Sequence, residues 1–383
     1  MADPVVSGQF LALPQGEKVI AEYIWLGGTG KDLRSKTKVL DRKPLSIDDL
    51  PIWSCDGSSC FFKEAKMAYS EILLVPKAIY TCPFLGNPNL LVLAEAYQCP
   101  GASLAATNGA ELPPLLPVEA NTRAACAAVM ERVAEEDPWF GIEQEYYILD
   151  PATKWPLGWS GYFDPKTTDI HTAAVELTKR EFATGPYFCT PGTGAFAGRE
   201  IAIAHLKACV AAGITIGGVN SEGMLGQNEY QIGPCRGIKM GDDLIISRYI
   251  LMRIGELFNV LISFDPKPIP NTNGTGGHTN YSTKATRTKG SGWEAIQQYV
   301  KQLEGRHKEH MAAYGGAERL LGAYYAPSAD EFKWGVGDRG ASVRVGSLVP
   351  LQKCGYLEDR RPSGDLDPYV VTRMLVETTL LLQ

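Results

Sequence analysis

The chain has 383 residues, 45% of them hydrophobic and 21% charged, with a formal net charge of −6. That length and composition support a sizeable buried core and exclude a chain disordered throughout. The acidic balance argues against a sequence-wide footprint for nucleic acid or for an anionic membrane surface.

The start, Met1-Ala2-Asp3-Pro4-Val5-Val6-Ser7, lacks the basic and apolar regions of a signal peptide. The greasiest stretches, Ile245–Val260 and Leu375–Leu382, are broken by charge or too short to span a bilayer. A cytoplasmic protein is expected, with an organellar form after removal of a transit peptide left open. Nine scattered cysteines, an odd number, fit reduced thiols packed mostly in the core, and Cys55 and Cys60 have no second pair with which to build a zinc site.

In chain order, strands are predicted at Lys18–Trp25, Ile72–Val75 and Leu90–Ala94, separated by turn clusters such as Asp56-Gly57-Ser58-Ser59. A segment rich in Pro, Ala, Leu and Gly over Pro100–Pro117 marks a boundary, and Asn121 or Thr122 can cap a helix running to about Glu135. Further helices are predicted at Ala197–Ala212, Asp242–Leu261, Trp293–Tyr314 and Pro368–Leu382. Strands are predicted at Gly141–Leu149, Glu229–Ile232, His278–Ser282 and Ala341–Val345. This order suggests α+β rather than a doubly wound sheet.

Four segments carry candidate chemistry. Glu143 and Glu145 are two apart on a predicted strand and so share a face, as a metal site or as a solvated edge. Glu222 and Glu229 flank a Gly-containing loop whose hairpin-like closure could bring both carboxylates to one point. In Asn273-Gly274-Thr275-Gly276-Gly277-His278 the glycines permit close approach to a ligand, without the pattern of a phosphate loop. His278 is either a ligand or a hydrogen-bonded core residue. Arg339, Arg344, Arg360 and Arg361 form either a solvated charge run or a cluster facing a ligand. Taken together, the acidic side chains and histidine are a hard, oxygen-rich set suited to Mg²⁺ or Mn²⁺, with arginines available for phosphates.

Laid end to end, the chain resembles eukaryotic-type glutamine synthetases over almost its whole length. Leu13-Pro14-Gln15-Gly16-Glu17-Lys18, Ala21-Glu22-Tyr23-Ile24-Trp25 and Asp56-Gly57-Ser58-Ser59 look like the family's N-terminal domain. Phe140-Gly141-Ile142-Glu143-Gln144-Glu145, Ser263-Phe264-Asp265-Pro266, Arg306-His307-Lys308-Glu309-His310 and Glu358-Asp359-Arg360-Arg361-Pro362 look like its catalytic domain.

The resemblance implies a small β-grasp domain over residues 1–112 and a larger α+β catalytic domain over 113–383 with a curved antiparallel sheet. It also implies a homo-oligomer of two stacked pentameric rings, with glutamate, ammonium and ATP as substrates and two or three Mg²⁺ or Mn²⁺ ions per site. By the same resemblance Glu145, Glu222 and Glu229 would hold one metal, and Glu143, His278 and Glu358 another. Asn273, Gly274, Arg319, Arg339 and Arg360 would hold glutamate or its γ-phosphate. Trp139, Asn280, Ser282, Arg344 and Tyr356 would surround ATP. Arg339 counts among the catalytic residues with Asp56, which a neighbouring subunit would supply to bind and deprotonate ammonium.

The chain departs from the family pattern in places. Tyr325 stands where the family's flap has a glutamate, and Cys60-Phe61 replaces Thr-Gly. The Glu222 loop reads Ser221-Glu222-Gly223-Met224-Leu225-Gly226-Gln227-Asn228-Glu229, and an insertion covers roughly Asp164–Thr184. The expected activity is ATP-dependent glutamine formation. The alternatives are a ring-forming homologue with little or no synthesis and a structural or regulatory role, and a ligase for another amine.

Overall fold

The computed structural model describes residues 4–66, 69–100, 114–179, 187–192, 196–269, 272, 274–321 and 326–382. The chain divides into two compact units: residues 1–124 with 208–214, and residues 125–207 with 215–383. Of the segment Pro100–Pro117, where the sequence suggests a boundary, residues 101–113 lie outside the described residues.

The first unit is built on a five-stranded sheet of β1 (Val19–Leu26), β2 (Leu33–Leu40), β3 (Trp53–Asp56), β4 (Glu71–Thr81) and β5 (Leu90–Gln98), in the order β2-β1-β5-β4-β3. β1 and β5 run parallel and the other neighbours antiparallel. Alternation explains the core. Val19, Ala21, Tyr23 and Trp25 on β1 and Leu90, Val92, Ala94 and Ala96 on β5 bury the same face. β2 and β3 were not predicted, because Leu33–Leu40 is mostly polar and largely exposed and Trp53–Asp56 is short. Phe61 keeps a left-handed backbone (φ 62°) where the family pattern has glycine, so that turn survives the substitution in a conformation that favours glycine.

The second unit is built on an eight-stranded sheet that curves into a half-barrel. It contains β6 (Trp139–Leu149), β7 (Ile216–Ser221), β8 (Gln227–Arg236), β9 (Leu261–Ser263), β10 (Gly277–Ser282), β11 (Trp334–Val336), β12 (Val343–Val345) and β13 (Leu357–Asp359). The order is β11-β12-β13-β10-β6-β8-β7, with β9 beside β6. Pairing is antiparallel, as expected, except at the edge between β11 and β12, which run parallel. Bulges at Phe140/Ile142 and Ile216/Gly218 add local twist.

The helix Lys239–Phe258 packs on the back of this sheet, and its buried Arg248 donates to the side-chain oxygen of Gln144 on β6 at 2.8 and 2.6 Å. The predicted helix Trp293–Tyr314 is two helices, Gly292–Gly305 and His307–Tyr314, parted at Arg306 (φ −117°, ψ 20°) after a weakly helical glycine. The last predicted helix is α-helical over Pro368–Val376, with Asp367 as its N-cap, and continues as a π turn over Glu377–Leu381. The first part of the insertion forms a helix, Ile170–Lys179, that was not predicted. Its Ala173, Ala174 and Leu177 bury against Trp155, Trp159, Met224 and Leu225.

Candidate active site

The register of the second sheet brings distant residues side by side. His278 on β10 lies opposite Glu143 on β6, and Glu145 lies opposite Glu229 on β8. Arg344 and Asn280 both lie opposite Glu358 on β13. Because strand side chains alternate, Trp139, Gly141, Glu143 and Glu145 share the face that Gln227, Glu229 and Gln231 and then His278, Asn280 and Ser282 extend. The antiparallel β7–β8 hairpin returns Glu222 to the same point.

Two groups of metal-type donors result: Glu143, His278 and Glu358, and Glu145, Glu222 and Glu229, each with one donor atom per residue within 4.8 Å of the others. In the first, the His278 Nδ1 lies 3.2 Å from Glu143 Oε2 and 3.7 Å from Glu358 Oε1. Asn280 donates to Glu143 Oε1 at 3.0 Å, and Arg360 and Arg344 donate to Glu358 at 2.6 and 3.3 Å. In the second, Glu145 Oε2 accepts from the Gly276 backbone at 2.8 Å and from Gln227 Nε2 at 3.0 Å. Glu222 accepts from Asn220 and from its neighbour Gly223, and Glu229 from Gln231.

The electrostatics follow from crowding. Burial, then the neighbouring Glu145, push the Glu222 carboxyl up to about 7. Burial, then Glu222, Glu143 and Glu145, hold Glu229 well above the usual carboxylate range. Burial, then Arg360 and Arg319, pull His278 down to about 3, so it is a neutral imidazole at pH 7 and a competent metal donor. Carboxylates that resist ionisation when brought together fit a site completed by a cation. Hard oxygen donors with one imidazole suit Mg²⁺ or Mn²⁺.

A cavity of about 610 Å³ is lined by Glu143 and His278 of the first group, by all three residues of the second, and by Gly274, Arg319, Arg339, Arg344 and Arg360. Arg319 is buried and donates to His278 Nε2 at 2.8 Å and to the Arg360 carbonyl at 3.0 Å. A second cavity of about 670 Å³ is lined by Trp139, Asn280, Ser282, Tyr356 and Arg287, and Glu143 and Gln231 line both cavities. Arg344, grouped by resemblance with the residues around ATP, lines the first cavity. Two guanidinium groups lie over the Trp139 ring, Arg287 at 4.2 Å and Arg236 at 5.1 Å from its centroid.

Asp56 ends β3 in the first unit, where its exposed carboxylate accepts from Ser58 and Ser59. Asn273 and Tyr325 lie outside the described residues. Arg361, grouped with the site arginines by position, instead points away from them, fully buried against Asp359 at 2.7 Å and His310 at 3.2 Å. Sequence reasoning missed Gln227, which touches Glu145, the Gly274 carbonyl (3.1 Å) and the Tyr147 hydroxyl (3.3 Å). Its signal was its place two residues before Glu229, on the same strand face.

The curved half-barrel sheet is of the glutamine synthetase type, and it carries two adjoining groups of donors that could hold metal ions. The family model described as glutamine synthetase, catalytic domain, matches residues 119–380. A glutamine synthetase cytosolic isozyme of Chlamydomonas reinhardtii is 48% identical over 389 residues, covering 100% of this chain and 96% of the relative. A glutamine synthetase of Schizosaccharomyces pombe is 45% identical, covering 99% of this chain and 96% of the relative. The solved chain described as "GmaS/ADP complex-Conformation 1" shares the fold with a TM-score of 0.65 at 17% identity, covering 99% of this chain and 81% of that one. The chain belongs to the glutamine synthetase family.

Proposed function

We propose that this protein is a glutamate–ammonia ligase that couples ATP cleavage to glutamine formation, with the two acid groups as its Mg²⁺ or Mn²⁺ sites. The supporting observation is the juxtaposition of two three-residue donor sets, five of whose six residues line one cavity with Arg319, Arg339 and Arg360. Bound divalent ions would supply Lewis acidity and offset the repulsion between glutamate's carboxylate and the γ-phosphate of ATP. The residues of the chain do the rest. Gly274 and Arg319 are suited to orient glutamate, while Arg339 and Arg360 present forked donors to the phosphoryl oxygens, where charge spreads as the bond to ADP breaks. Trp139, Asn280, Ser282 and Tyr356 offer a largely apolar cradle for the nucleotide in the adjoining cavity, and Arg344, in the first cavity, would be available to its phosphates. Asn273 is assigned to glutamate by its place in the sequence alone.

Asp56, from a neighbouring subunit of a ring assembly in the cytoplasm, would attract ammonium and take up its proton. Tyr325 departs from the family at this same step, which keeps a weak homologue or a ligase for another amine as the second reading. Phosphate release with glutamate and ATP, measured with ammonium, with hydroxylamine and with neither, separates them. Amine-dependent phosphate release that disappears in Glu143→Gln is expected. No glutamate-dependent release at any Mg²⁺ or Mn²⁺ concentration would overturn the assignment.

A further inference from the structure

Between Glu143 and Glu145 on β6 stands Gln144, whose side chain faces the other way because neighbours on a strand alternate. It is fully buried on the back of the sheet. Its Oε1 accepts twice from Arg248, at 2.8 and 2.6 Å. Its Nε2 donates to the Glu145 and Gly364 carbonyls at 2.9 and 2.7 Å. Arg248 spends the rest of its fork on the Leu366 and Gly364 carbonyls, each at 2.9 Å, and its guanidinium lies 5.3 Å from the centroid of the Phe264 ring.

Arg248 is buried, yet all four of these hydrogen bonds end on neutral oxygens. A buried cation without a carboxylate against it is costly, and an apolar side chain of similar length would fill the space at lower cost. Packing alone does not account for it.

What the fork joins are the segments that carry the donors. Gln144 fixes the stretch of β6 with Glu143 and Glu145. The segment 362–366 follows Glu358 and Arg360 and lies against the start of β10. There the Gly277 N–H donates to the Pro362 carbonyl at 3.0 Å, the Gly364 N–H donates to the Thr275 carbonyl at 2.8 Å, and Gly276 pairs with Ser363. Gly276 in turn donates to the Glu145 carboxylate, two residues before His278. The fit leaves no slack, since a Cβ on Gly277 would collide with Leu366 and the Ser363 carbonyl.

We propose that Arg248 is a positioning residue for metal binding. From the back of the sheet, through Gln144 and Gly364, it holds β6, the start of β10 and the chain after β13 in the register that aims Glu143, His278 and Glu358 at one point. The first donor group depends on this clamp through all three of its strands. The second depends on it through Glu145 alone, because Glu222 and Glu229 belong to the β7–β8 hairpin. A planar fork spans these acceptors in a way that a lysine ammonium cannot copy. The inference rests on reading the two donor groups as metal sites.

Mn²⁺ binding to the full chain tests it, followed by the EPR signal of the free ion at a temperature where each variant keeps a native circular dichroism spectrum. Arg248→Met and Arg248→Lys are compared with wild type and then group by group. Glu229→Gln leaves the first donor group intact, and Glu143→Gln leaves the second. In the Glu229→Gln background Arg248→Met should weaken Mn²⁺ binding ~10- to 100-fold, and in the Glu143→Gln background it should weaken it less. Arg248→Lys, which keeps the charge but not the fork, should show the same order. So should Gln144→Met, which breaks the link from its other side and serves if Arg248→Met does not fold.

A residue that only supported the core would lower the melting temperature and leave the Mn²⁺ affinity of the folded protein unchanged. Affinities within about twofold of the parent protein in Arg248→Lys and Gln144→Met therefore overturn the proposal. So does a larger loss at the second group than at the first. If wild type binds no Mn²⁺, the metal reading of both groups fails and this inference fails with it. If wild type binds and the Arg248 variants match it, this inference alone fails.

Discussion

At the scale of single residues, Gln227 ties the site together. Its Nε2 donates both to Glu145 Oε2 and to the Gly274 carbonyl, which joins a proposed metal ligand to the loop proposed to hold glutamate. Gln227→Leu keeps the bulk but leaves that carbonyl and one carboxylate lone pair without this donor. A loss of ~1–3 kcal/mol of folding stability is expected. The stabilisation conferred by Mn²⁺ in a thermal melt should fall as well, since Glu145 is then free to turn. An unchanged Mn²⁺ shift would show that Gln227 serves packing alone.

Tyr325 is the second residue-scale case, and there the argument comes from the sequence. A phenol with an ordinary pKa of about 10 is neutral at pH 7 and a poor base for ammonium. Loss of a positioned base costs ~10²–10⁴-fold in rate. Tyr325→Glu should therefore raise ammonium-dependent turnover more than turnover with hydroxylamine, which needs no deprotonation near neutral pH. A fall with ammonium would contradict this.

At the scale of elements, the inserted helix Ile170–Lys179 braces the loop that carries Glu222. Leu177 is buried with Met224, Leu225 and Trp159, and the Trp159 indole donates to the Leu225 carbonyl at 2.8 Å. Leu177→Ala should cost ~2–5 kcal/mol, read from the denaturant midpoint at an unchanged slope. The position of Glu222 depends on this wall, so Mn²⁺ affinity should weaken in the same variant. A stability loss without any change in Mn²⁺ affinity would make the helix a local support only. The insertion was legible in the sequence as extra length. Its helix and buried face were not, because only the tertiary fold places Trp155 and Trp159 against Ala173 and Leu177.

At the scale of the whole molecule, buried histidines make stability depend on pH. Burial pulls His205 down to about 4. Burial, then Arg361, pulls His310 down to about 3. Both are neutral when folded and take up protons on unfolding below the unfolded value of about 6.5. The unfolded chain then binds more protons, so their contribution is complete above pH 6.5 and is lost progressively as pH falls towards 4. Each should cost about 2 kcal/mol between pH 6.5 and 5. Thermal melts of wild type and His205→Phe over that range should diverge in slope, with the variant flatter, and parallel curves would remove His205 from the account.

Assembly belongs to the same scale. If Asp56 acts in a neighbour's site, full activity needs an oligomer, expected to be two five-membered rings. Mass photometry of an active monomer at micromolar concentration would refute it.

What the sequence by itself determined was the family. Glu143 and Glu145 share a face because strand side chains alternate, and the motifs from Asp56 to Arg361 fixed the family, a membership that the full-length relatives bear out. β-branched and aromatic content marked β1, a short buried run marked β5, and apolar neighbours or long apolar stretches marked β6 and the helix Lys239–Phe258. Convergence was decided only by tertiary structure. Glu143, His278 and Glu358 meet because β6, β10 and β13 pair in one register, a relation between residues up to 215 positions apart that no local pattern encodes. The short strands β11 and β13, unlike β12, carried no signal in the sequence and exist because their neighbours in the sheet satisfy their backbone hydrogen bonds. The fates of Arg360 and Arg361 divide for a similar reason. They are adjacent in sequence, but consecutive side chains at a strand end face opposite ways, one towards the cavity beside Glu358 and the other into the core beside Asp359.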